Sequence, residues 1–247
     1  MKPWTVSIAA LVATIWAASG AQAAAVPGQG TWETTLQARD LDGNGTTDAF
    51  YDTVLDITWL GSGSEGTFDW AGAKAWAAQD RFGLSGWHLP TIVDTGSPLC
   101  DYSTAGGTDC GFNVQTKSGD PTRYEVGQTV HSEMAHLFYV TLGNKGACTP
   151  GDPVCSTEQP GWGLSNTGAF QNLLPFDYYS GTEYSPGVYA WCFSNRGGFQ
   201  GPAAIDGALY GLAVHDGNVG VPIPEPATWT LLMAGLLMLF SRRRLPQ

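Results

Sequence analysis

Two prolines flanking a glutamate, Pro224 and Pro226, set the downstream limit of any folded domain in this chain. A proline has no N–H to donate, fixes its own φ and keeps the residue before it extended. Pro224-Glu225-Pro226 therefore continues neither a strand nor a helix interior. Beyond it lie an apolar run, Ala227 to Phe240, and the basic triplet Arg242-Arg243-Arg244. As a helix the 14-residue run reaches about 21 Å at ~1.5 Å per residue. That falls short of a hydrocarbon core of ~30 Å. The run reads as a helix that enters the inner membrane transiently, its end held on the cytoplasmic side by the arginines.

The order of motif, apolar helix and basic tail over residues 222–247 resembles a PEP-CTERM sorting signal. The resemblance implies recognition and cleavage by an exosortase, with Pro224, Glu225, Pro226, Arg242, Arg243 and Arg244 as the sorting residues. It also implies delivery to the cell surface or an extracellular polysaccharide matrix. The other end agrees. Lys2 precedes an apolar stretch from Val6 to Ala18, and Ala21-Gln22-Ala23 offers the small-x-small pattern that signal peptidase cuts. Residues 1–23 are expected to be a signal peptide.

Between the two signals, residues 26–221 are long enough for one domain with a sizeable core, and no linker divides them. The formal charge of the whole chain is −11. Lys2 and the three tail arginines are among its few basic residues, so the domain itself is strongly acidic. Nucleic acid and anionic lipid are excluded as partners, since the phosphate term would be repulsive. Ten Trp and 33 Gly describe a loop-rich fold rather than disorder. Cys100 and Cys110 bracket one short loop, and Cys148 and Cys155 another. In an oxidising compartment these are two expected short-range disulfides. Cys192 is left over as a buried thiol, and the close Cys/His spacing of a zinc site is absent.

Periodicity places strands at both ends and helices between. Strands are expected over Thr31–Ala38 and Tyr51–Leu60. A helix capped by Asp69 follows, with Trp70, Ala73 and Ala77 near one face. Gly86–Thr91 is a short extended piece, and Val130–Leu142 a second helix. Later strands are expected at 178–182, 188–193 and 208–214, with turns at 195–198 and 216–218.

Three segments carry a second resemblance: Asp52–Leu60, Trp70–Ala77 and Gly86-Trp87-His88-Leu89-Pro90-Thr91. With Tyr189–Ser194 and Leu212–Val219 they look like the Lcl C-terminal domain family, whose members often carry Arg where this chain has His88. The resemblance implies a single α+β domain of C-type-lectin-like kind, with short antiparallel strands and two main helices. It implies a binding or adhesion role and brings no catalytic residues.

Among candidate sites, Asp40-Leu41-Asp42-Gly43-Asn44-Gly45-Thr46-Thr47-Asp48 is the sharpest. Asp40, Asp42, Asn44, the Thr46 carbonyl and Asp48 place oxygen donors at alternate positions, as a calcium loop requires. An acidic Asx/Gly turn between two strands accounts for the same residues. His131 and His136 are five apart, where a zinc-protease helix needs four. No nucleophile elbow occurs at Ser62, Ser64 or Ser165. Trp162, Tyr178, Tyr179, Tyr184, Tyr189 and Phe199 are either stacking platforms for sugar rings or core residues. The sequence thus points to a non-enzymatic binding or adhesion module for extracellular polysaccharide, with calcium as its candidate cofactor. A structural matrix protein and a secreted hydrolase are the alternatives.

Overall fold

Residues 24–93, 110–114, 132–152 and 154–222 are described by a computed structural model. The signal peptide, the sorting residues at 224–226 and 242–244, Cys100 and His131 lie outside the described residues. The chain opens with one helical turn, α1 (Trp32–Thr35), and continues as β1 (Leu36–Asp40), β2 (Ala49–Asp52), β3 (Ile57–Leu60) and α2 (Trp70–Ala77). Then come β4 (Gly111–Phe112), α3 (Glu133–His136) with a wider π-type turn over Leu137–Thr141, β5 (Asp177–Ser185) and β6 (Tyr189–Ser194). β7 (Phe199–Ala204), β8 (Val214–Asp216) and β9 (Val221–Pro222) complete it. The architecture is α+β and sheet-rich. One sheet has the order β8-β3-β2-β1-β9 and the other β4-β7-β6-β5, and every strand pairing is antiparallel. Among the described residues no helix is long and apolar enough to cross a membrane.

Successive strand residues face opposite ways, and here both faces are used. Phe50, Ile57, Trp59, Tyr178, Trp191 and Phe193 join Phe138 and Leu142 in the larger core. Their neighbours Ala49, Tyr179 and Ala190 join Ala73 and Ala77 of α2, with Trp87 and Leu89, in a smaller one. The small residues let α2 lie close to the sheets. Asp69 caps α2 as its sequence predicts, accepting from the Gly72 N–H at 2.7 Å.

Several local expectations change. The segment Thr31–Ala38 is a strand only in its second half, because its first half closes as α1. The Thr34 and Thr35 hydroxyls both donate to the Thr31 carbonyl at 2.9 Å, the local competition with sheet bonding that threonine allows. Tyr51–Leu60 is not one strand but the end of β2, a turn and β3, most of a hairpin whose turn is closed by Asp52. That carboxylate accepts the Val54 and Leu55 N–H groups at 2.9 and 3.1 Å, and Asp56 takes φ +55°. In 208–214, Leu209 and Tyr210 make only isolated bridges and the strand proper begins at Val214. β7 was not expected at all.

Candidate functional site: an aromatic groove beside an acidic loop

The loop between β1 and β2 draws three of its five predicted metal ligands together. Single carboxylate oxygens of Asp40, Asp42 and Asp48 lie within 4.8 Å of one another. No ion pair among the described residues joins them to a basic side chain. Asp40 is also the loop's internal hub. Its Oδ1 accepts the N–H groups of Asp42, Gly43 and Asn44, and its Oδ2 accepts that of Gly45 at 2.7 Å. These bonds, that from Gly45 foremost, hold its carboxyl below the usual range. Asn44 and Thr46 bond to each other, Asn44 Oδ1 accepting both the N–H and the hydroxyl of Thr46. Asn44 also donates to Asp42 Oδ2 at 2.9 Å. Two carboxylates beside a third repel unless a cation or a proton intervenes, so the donor set fits a hard divalent cation.

The last residues of that loop, Thr47 and Asp48, line an open groove of about 1040 Å³. Its apolar surface comes from Trp32 of α1, Leu36 and Ala38 of β1, Phe50 of β2 and Leu60 of β3. Glu33, Ser62 and Gln171 supply polar groups, and Arg81 and Phe82 complete the lining. A second recess of about 640 Å³ shares Ser62 and Gln171 with it and adds Glu65 and Asn172. Pockets for small molecules run to ~300–1,000 Å³, so the joined recesses have room for an extended ligand. Gly61 fixes one wall. Its N–H donates to the Asp48 carbonyl at 2.8 Å, and a Cβ there would sit 2.7 Å from that oxygen.

Two groove residues have unusual settings. Arg81 is committed to the end of α2, donating to the carbonyls of Ala77 (2.7 Å), Gln79 (2.9 Å) and Trp76. Its guanidinium also lies over the Trp76 ring. This satisfies carbonyls that a helix end leaves open. Phe82 adopts φ +56°, a backbone region that costs an L-residue about 1–2 kcal/mol, and it remains 43% exposed.

The six aromatics singled out from the sequence do not form a platform. Tyr178 and Tyr179 are fully buried. Tyr184 packs edge-on to Trp191 with ring centroids 4.9 Å apart, and Phe199 packs on Phe112 at 5.2 Å. Trp162 is half-buried with its indole N–H donated to Glu158. Only Tyr189 is exposed. Trp32, Phe50 and Phe82, which do meet at the groove, went unrecognised. The available signal was Phe82-Gly83, a dipeptide of turn form with a phenyl ring where Asn or Asp is usual.

Elsewhere the structure is accounted for by folding. Cys148 and Cys155 form a disulfide with Cα atoms 5.0 Å apart. Cys110 is also disulfide-bonded, its partner lying outside the described residues. Cys192 is a buried free thiol whose pKa burial pushes up to about 12, which makes it inert. His136 is fully buried in α3, and burial lowers its pKa to about 4. His88 donates from Nδ1 to the Leu89 carbonyl at 2.8 Å, with Nε2 3.3 Å from Asp216, on the outer side of the β8 pairing. Burial raises the carboxyls of Asp52 and Glu133, and neither lines the groove. Compared with known proteins, the chain matches no family model and no curated protein.

Proposed function

We propose that the protein is an exported surface-binding module whose groove takes an extracellular polysaccharide, with calcium held by Asp40, Asp42 and Asp48. The observation that carries this reading is the groove itself. Its apolar floor is rimmed by hydrogen-bonding groups, a second recess shares Ser62 and Gln171 with it, and Asp48, one of three converged carboxylates, lines it. Polysaccharides present apolar C–H faces and hydroxyl edges, and the groove offers both kinds of surface. Calcium would offset two of the loop's three carboxylate charges and fix Thr47 and Asp48 at the rim. The sorting tail and signal peptide read from the sequence would carry the module to the surface, through signal peptidase and an exosortase. The two-sheet α+β architecture is compatible with the C-type-lectin-like fold that the Lcl resemblance implies.

Hydrolysis is the second reading, because Glu33 and Asp48 line the same groove. Glycosidases need one carboxyl kept protonated by its surroundings. Asp52 and Glu133, the carboxyls that burial raises, lie outside that lining, and the lining itself is mostly apolar, which favours binding. Calorimetric titration of the purified protein with its producer's extracellular polysaccharide tests both readings, first in calcium and then in EDTA. Saturable binding that weakens in EDTA, with no new reducing ends, is expected. Reducing ends released by the protein and lost in Glu33→Gln would establish the hydrolase instead. No binding in either condition would leave a structural matrix role.

A further inference from the structure

Phe82 and Gly83 form a two-residue link between Arg81 and Leu84, whose backbones exchange hydrogen bonds of 3.0 and 2.8 Å. Both linking residues have positive φ, 56° and 77°, the pattern of a type I′ turn. Asn, Asp or Gly serve that first position without strain, since their side chains tolerate the left-handed region. A phenyl ring gains nothing conformationally there, and at 43% exposure it is far from fully buried. Strain of this kind persists where surroundings hold it, and it concentrates at binding sites. Here the holding is visible, because Arg81 is pinned to three carbonyls at the end of α2.

The balance of charges around the groove bears on the charge of the ligand. Both terminal guanidinium nitrogens of Arg81 donate to those carbonyls, which holds its positive charge against the end of α2 without neutralising it. Against it stand the loop of Asp40, Asp42 and Asp48, whose three carboxylates exceed the charge of a bound divalent cation by one, and on the rim itself the carboxylates of Glu33 and Asp48, which only accept hydrogen bonds when ionised. Each already accepts one backbone N–H, from Gly28 and Leu41 respectively, through a single oxygen. Such a rim complements hydroxyl donors and repels carboxylates, sulfates and phosphates.

We infer that Phe82 is a preorganised stacking residue and that the groove selects uncharged glycans over uronate-bearing ones. This rests on the polysaccharide-binding reading above. The test applies the full-length wild type, Phe82→Asn and Phe82→Trp to an array of immobilised neutral hexose and uronate oligosaccharides of matched length, in calcium. Each protein's melting temperature is measured alongside. The wild type should retain neutral oligosaccharides and ignore uronates. Phe82→Asn should bind at least tenfold more weakly while melting at the same temperature or higher, because Asn suits the turn. Phe82→Trp should keep the binding. Undiminished binding by Phe82→Asn, or a fall in its melting temperature, would overturn the stacking role. Preference for uronates would overturn the charge assignment. A wild type that binds nothing on the array would overturn the polysaccharide reading itself, and the failure would then lie in the wild type rather than in the variant.

Discussion

The second sheet and the groove of the first use the same kinds of side chain to opposite ends. Along β5 and β6, Tyr178, Tyr179, Trp191 and Phe193 are buried, and the two tyrosine hydroxyls are bonded: Tyr178 accepts the Leu174 N–H and Tyr179 donates to the Ala204 carbonyl. At the groove, Phe82 sits on a strained turn in partial contact with water, and Trp32 is only half-covered. The first set repays its burial in stability. In the second, Phe82 costs backbone energy and still stays 43% exposed. Aromatic richness by itself therefore does not locate a site; exposure combined with an unfavourable backbone is what sets Phe82 apart.

The contrast is broken most forcefully from the interior. Trp191→Ala or Trp59→Ala should cost about 3–5 kcal/mol, read as a shift in the denaturation midpoint. Denaturation unchanged within error would mean that these rings are not the core. Acid titration probes the interior a second way. Unfolded His136 binds a proton below about 6.5, while the buried ring binds one only below about 4. The unfolded state therefore takes up protons between those values, and stability falls as pH falls from 6.5 towards 4. The full difference is on the order of 3 kcal/mol, and His136→Gln should flatten that slope. Asp40 acts in a lower window. Its carboxyl is depressed by backbone N–H groups, so its contribution is present above the unfolded value of 3.8 and disappears only below it.

On the groove side, calcium at a hundred times its Kd should stabilise the protein by about 2.7 kcal/mol, seen as a melting temperature that drops in EDTA. Asp48→Asn should remove most of that increment, and an EDTA-insensitive wild type would return the loop to an ordinary acidic turn. Reduction of Cys148–Cys155, whose sequence separation is 7, should cost about 2 kcal/mol without changing binding, since neither residue lines the groove. The smallest effect belongs to Phe82→Asn, a gain of up to about 1 kcal/mol from relief of the turn.

Parts of this were legible beforehand. Asp69 and the alanines after it announced α2 because capping and periodicity are local. The hairpin at 49–60 was hidden because Asp52 and Asp56 interrupt an otherwise strand-like run, and only their bonding shows the turn. β7 was hidden by Gly201-Pro202, which reads as a break. Among the described residues β4 pairs only with Phe199 and Gln200, so no described pairing on that side of β7 requires an N–H from Pro202. The clustering of the Asp40, Asp42 and Asp48 carboxylates could be read because they lie close together in one short loop. The groove could not, since its lining comes from α1, three strands, the 81–82 turn and residues near 170, which meet only in the fold.

Hydrogen–deuterium exchange with and without a bound neutral oligosaccharide tests the central contrast most directly. Slowed exchange at Leu36–Ala38, Arg81–Leu84 and Asp48 through Ser62, with β5–β7 unchanged, is the predicted result. Protection confined to β5–β7 would place the ligand against the aromatic sheet and contradict the division between stabilising and ligand-facing rings.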